Sequence, residues 1–199
     1  GQFERAQQVL QDVAVRTPRN WTRKRRLSSV AKLNGDFATA QRLIEEVIAN
    51  DRIGGIPIAD RIELVRTALA GGDRELARTK LAELATEERA QLSHEERLNI
   101  DCLEAMLLDK EAGEKRFERI RAELGRIELG AEALLDAIRV ALHYADRELA
   151  DRLAERLLGG AEARRAFQAM LEIFRQQGME EHFRKLQRAV AARRLQRKQ

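Results

Sequence analysis

The pentapeptide DRELA stands at Asp73–Ala77 and again, unchanged, at Asp146–Ala150, 73 positions later. Each copy follows a small-residue joint, Gly71-Gly72 in one case and Ala145 in the other. An exact return at this distance points to an internal period, and a period of tens of residues decides the architecture before any single motif does. Sliding the chain by 34 lays Gly1, Phe3 and Ala6 over Gly35, Phe37 and Ala40, with Leu10 over Ile44 and Val13 over Val47. A slide of 37 lays Gly72, Asp73, Ala77, Leu81 and Leu84 over Gly35, Asp36, Ala40, Ile44 and Val47. Asp109–Ala112 begins the intermediate unit, with Phe117 and Ile120 in its apolar positions, and the last unit opens at Gly178 with Phe183, Leu186 and Val190.

A second family of apolar stripes precedes these helices, at Arg23–Leu33, Ala59–Ala70, Glu95–Leu108, Ala131–Tyr144 and Ala161–Gln177. Ile62, Val65, Ala68 and Leu69 show the three- and four-residue spacing of a helix face. The joints are short and carry Gly, which supplies the positive-φ stop of the first helix. Asp follows as the N-cap of the second. A joint of two or three residues makes the two helices antiparallel neighbours. The chain is therefore expected to be all-α: an α-solenoid of antiparallel helix hairpins, about 11 helices in about five and a half units, spanning 1–199 as one domain. The expected units are 1–20, 21–56, 57–92, 93–128, 129–160 and 161–199, the last with a capping helix. The half-hairpin at Gly1 leads us to expect a longer protein of which this is a part.

Composition agrees. Aromatic residues make up 4% and charged residues 35% of the chain, with two prolines, so the core must be Leu, Ala, Ile and Val on helices. There is no apolar run long enough for a membrane span. Cys102 stands alone, which excludes an internal disulfide and suits a cytoplasmic setting. His94, His143 and His182 lie on different units, no metal-binding pair is spaced for ligation, and no Gly-rich phosphate loop opens a helix. We expect no catalytic residue, no cofactor and no metal.

Charge is uneven. Seven basic residues and no acid lie between Arg16 and Lys32, and seven more with no acid lie between His182 and Gln199, while Leu33–Glu181 carries a net of −9. The run Arg23, Lys24, Arg25, Arg26 is a candidate anion patch, weighed against a solvated helix face. Trp21 is the one aromatic beside it, so stacking on nucleic acid is not expected. The segment Asn50–Ile58 departs from the period and carries Gly54, Gly55 and Pro57; it reads as an elongated joint or a binding insertion.

A 34-residue hairpin with Gly-x-aromatic-x-x-Ala opening its second helix resembles the tetratricopeptide repeat. Gly1, Phe3, Ala6, Leu10, Val13 and Pro18 follow that pattern, as do Leu27, Ser28, Ala31, Gly35, Phe37 and Ala40; later units keep the small residue and the joint but lose the aromatics. The resemblance implies a right-handed superhelix and a protein–protein interaction scaffold. Its concave groove would be lined by the first helix of each hairpin. Carried over by position, it nominates Arg25, Ser29, Lys32, Ile62, Arg66 and Leu69 as partner-binding residues, with the cations gripping an acidic motif and Ile62 and Leu69 giving apolar contact. The family's clamp asparagines are missing from these positions. The implied partner is a protein or peptide, acidic in character, with a homodimer allowed. The stretch Pro57–Asp73 also resembles the repeat arrays linked to bacterial receiver domains, which makes a regulatory output domain the first alternative; nucleic-acid binding through the basic termini is the second.

Overall fold

The computed structural model describes residues 19–50, 58–87 and 92–196, together with the single positions 5 and 8. Among them every regular element is an α-helix. The chain divides into two compact units, 1–89 and 90–199. The first carries α1 (Trp21–Leu33), α2 (Phe37–Asn50), α3 (Ile58–Ala70) and α4 (Arg74–Glu87). The second carries α5 (His94–Leu107), α6 (Lys110–Leu124), α7 (Ala131–His143), α8 (Arg147–Gly159), α9 (Ala163–Gln176) and α10 (Glu180–Gln196). Helices pack in consecutive pairs, α1 with α2, α3 with α4, and so on to α9 with α10. This is the repeat array that the period requires. The half-unit of Gly1, Phe3, Ala6, Leu10, Val13 and Pro18 and the insertion at Gly54, Gly55 and Pro57 lie outside the described residues.

Four joints share one construction. Gly35, Gly72, Ala145 and Gly178 have φ of 76, 82, 58 and 68°. At each, the residue's own N–H reaches back three positions and the next N–H reaches back five: Gly35 to Lys32 and Asp36 to Ala31, then likewise at 72, 145 and 178. This pair of bonds satisfies two of the last carbonyls of the first helix. Asp36, Asp73 and Asp146 then accept from Thr39, Leu76 and Leu149 N–H at 3.0–3.2 Å, which caps the second helix.

The fifth joint is different. Helix α5 runs into an extended Leu108 with φ −66° and ψ 167°, and Asp109 caps α6 directly by accepting from Ala112 N–H. The joint is one residue shorter than the others and has no left-handed position. With Asp109 as the cap, the slot filled by Ala40, Ala77 and Ala150 falls on Gly113, whose N–H bonds to Asp109 O just as those alanines bond to Asp36, Asp73 and Asp146. Phe117 and Ile120 then stand where Ile44 and Val47 stand in α2, and both are buried.

Unit 1 is cored by Leu27, Ile44, Val47, Val65, Leu81 and Leu84, all buried, with Ala31, Ala40, Ala68 and Ala77 fully enclosed where the helices come closest. Unit 2 is cored by Leu103, Phe117, Ile138, Leu153, Met170 and Phe174. In this unit α5 packs on α7, α7 on α9 and α8 on α10, so like helices stack on like. Burial of apolar area at about 25 cal/mol per Å² is the main term holding such a stack together, and each hairpin finds that area only on its neighbours.

Side chains one period apart add specific ties. Asn99 Nδ2 donates to Asp136 Oδ2 at 3.0 Å, and Asp136, fully buried, also accepts from Arg139. Glu95 accepts from Gly130 N–H at 2.7 Å and so caps α7. Tyr144 Oη donates to Ala105 O at 2.6 Å, its ring stacked 5.1 Å from Phe117. Arg156 donates to the carbonyls of Leu124, the last residue of α6, and of Ile127 just beyond it.

Candidate interaction surface

Arg25, Ser29 and Lys32 sit four and then three residues apart, so they form one stripe along α1. Across from it, α3 presents Asp60, Glu63 and Arg66. Arg25 donates from Nε and Nη2 to the two carboxylate oxygens of Asp60, at 2.8 and 2.7 Å. Lys32 pairs with Glu63, and Arg66 Nη1 reaches the other Glu63 oxygen at 3.5 Å. The face is therefore a laced strip, with a cationic edge on α1 and an anionic edge on α3.

The strip reorders the nominated residues. Arg25, Lys32 and Arg66 are brought together, but their charges are met by Asp60 and Glu63. Asp60 keeps 9% of its side-chain surface and Arg25 32%, so the pair is partly shielded and fixed in geometry. Ser29 is exposed, its hydroxyl turned back to Arg25 O at 3.0 Å. Leu69 is half-buried. Ile62 is 4% exposed and belongs to the core of unit 1, so it holds α3 in place and offers no apolar contact to a partner. Its position one turn before Arg66 looks like the groove in projection; the helix phase turns it inward.

The anion patch disperses in the same way. Lys24 Nζ donates to Glu46 Oε2 on α2 at 2.6 Å and lies 5.1 Å over the Trp21 ring. That hydrogen bond holds the Glu46 carboxyl below the usual carboxylate range; burial pushes it up, and the charges of Lys24 and Arg42 bring it down again. Arg23 is half-buried and Arg26 exposed. The four consecutive cations point around the helix rather than to one spot.

Sequence reading passed over Asp60 and Glu63. They lie 35 and 31 residues from Arg25 and Lys32, so opposite charges at about one period were the available signal. Of the remaining candidates, Cys102 is buried and His143 is exposed. His182 Nε2 lies 2.8 Å from Asp151 on α8, and His94 Nε2 lies 3.2 Å from Glu123 on α6. Among the described residues no group of three or more His, Cys, Asp or Glu is placed to hold a metal ion, and no helix is long and apolar enough to cross a membrane. Comparison with protein-family models, with curated proteins and with solved structures gave no match.

Proposed function

We propose that the chain is a non-catalytic protein–protein interaction scaffold whose unit 1 receives a partner peptide or helix along the α1–α3 strip. The observation that supports this is the stripe Arg25, Ser29, Lys32 facing Asp60 and Glu63. Such a strip recognises by charge pattern. A purely acidic segment would have to pull Arg25 from Asp60 and leave a nearly buried carboxylate unpaired, which is costly. A segment of alternating charge meets both edges without breaking the pairs. The fitting partner is therefore of mixed charge, a sharper description than an acidic motif. Specificity and encounter rate, more than raw affinity, are what such complementarity provides.

Ser29 sits at the centre of the strip, exposed, and its replacement disturbs no pair between helices. A photo-crosslinking amino acid placed at Ser29 in the whole chain should give partner adducts that the same group at Glu45, exposed on α2, does not. Equal adducts from both positions, or none from Ser29, would refute the assignment.

A further inference from the structure

The end of the second unit carries a surface of different chemistry. Helix α10 buries Phe183 and Val190 and partly buries Leu186, which leaves Arg184, Lys185, Gln187, Arg188, Ala191, Ala192 and Arg193 exposed. From His182 onward the sequence has no acid. Arg184 pairs with Glu180 and Arg193 with Glu155. Lys185 and Arg188 make no ion pair among the described residues and project from neighbouring turns. Helix α9 returns antiparallel from the joint at Gly178. Arg164 lies 14 residues before that glycine and Ala192 14 residues after it, so the first turn of α9, with exposed Arg164 and with Arg165 paired to Glu162, stands level with Ala192 on α10.

We propose that this end of the unit binds double-stranded nucleic acid through its phosphates. Three properties of the face select that ligand. Among the described residues it shows no exposed Phe, Tyr, Trp or large aliphatic side chain, whereas a protein partner draws most of its binding energy from such anchors. Phe183 and Val190 are turned into the hairpin and Leu186 is half-buried, so among the described side chains of α10 no large apolar one is left to enter a bilayer as an amphipathic surface helix does. Among the described residues of α9 and α10 the one exposed ring is that of His182, held by Asp151, so there is no platform on which successive unpaired bases could stack, which disfavours single strands. Guanidinium and ammonium groups on a rigid helix, with Lys185 and Arg188 about 4.5 Å apart along its axis, remain. Ala191 and Ala192 let a backbone approach closely. Such a face positions on phosphates and carries no sequence code, so binding is expected to be independent of base sequence.

The test is fluorescence anisotropy of a labelled DNA duplex with the whole chain. Binding should weaken by about 100-fold between about 50 and about 200 mM salt if about four phosphates are neutralised. K185E combined with R188E should lower affinity at least about tenfold at the lower salt, with an unchanged thermal melt because neither residue holds another element. R164E, on the other helix, should do the same and guards against a local effect on α10. No binding at the lower salt, undiminished binding by both variants, or equal competition by polyglutamate would overturn the proposal. The strip on α1 and α3 plays no part in it, so R26E should bind the duplex as the parent chain does.

Discussion

The phenolic oxygen of Tyr144 occupies the place where a side chain at position 113 would begin. A Cβ built on Gly113 would fall inside van der Waals contact with Tyr144 Oη and only 2.6 Å from Ala105 O. The hydroxyl and that carbonyl are themselves bonded, at 2.6 Å. Gly113→Ala should therefore destabilise unit 2 by about 2 kcal/mol, the overpacking cost exceeding the gain of about 1 kcal/mol from better helix propensity. Tyr144→Phe alone should cost about 1 kcal/mol. Combined with Gly113→Ala it should recover part of the loss, since the nearest clash is with the hydroxyl. Denaturant midpoints of the two singles and the double measure the coupling; strict additivity would show that the contact is not made.

Ala145 holds a left-handed φ of 58° where its three counterparts are glycine. That conformation costs a non-glycine residue about 1–2 kcal/mol. Ala145→Gly is expected to raise stability by about 1 kcal/mol despite the added freedom of the unfolded chain. Gly72→Ala should lower it by a similar amount. Thermal melts of the two variants should move in opposite directions.

Asp146 does two jobs, capping α8 through Leu149 N–H and pairing with Arg121 Nε at 2.5 Å. Burial pushes its carboxyl up, but the Leu149 and Arg121 bonds and the Arg121 and Arg152 charges outweigh that, so its pKa lies below the ordinary value. A depressed folded-state pKa stabilises above the unfolded value, about 3.9, and that stability is lost as pH falls through the folded value. Asp146→Asn keeps a capping oxygen and removes the charge. It should be less stable than the parent at about pH 7 and converge with it at about pH 2. Urea titrations at the two pH values give the comparison; a constant gap would argue against the ion pair.

Arg25 and Asp60 make a similar test of unit 1. Arg25→Ala leaves a carboxylate that is only 9% exposed without its bidentate donor, and the expected loss is about 3 kcal/mol. Arg26→Ala, one position along and exposed, should change stability by less than about 0.5 kcal/mol. Circular-dichroism melts of the two neighbours should separate a structural cation from a surface one.

Much of the array was legible because hairpin joints are local. DRELA at Asp73 and Asp146 reads as a capped helix start, and both aspartates accept the bond expected of them. Arg74, Glu75, Arg147 and Glu148 face solvent while Ala77 and Ala150 are enclosed. The joint before α6 was less legible, because no left-handed stop precedes Asp109 and Gly113 fills the slot that holds alanine in other units. The strip on α1 and α3 was legible only by half. A single helix shows its own charges, and what neutralises Arg25 and Lys32 lies on another hairpin, at a spacing that varies from 31 to 35. Ile62 was misplaced for a related reason: a sequence gives the period of a helix but not its rotation about its axis.

The fit of Tyr144 against Gly113 also limits how this array could have grown. Duplicating a hairpin is the easy route to a longer repeat protein, provided any copy can follow any other. The hairpin that bears Tyr144 tolerates only glycine at the matching slot of its predecessor, and positions 40, 77 and 150 hold alanine. Its place in the order is fixed. A shuffled chain with the same units would meet a collision that this order avoids, so the hairpins are not exchangeable modules, and engineered extensions should be grafted away from the α5–α8 segment.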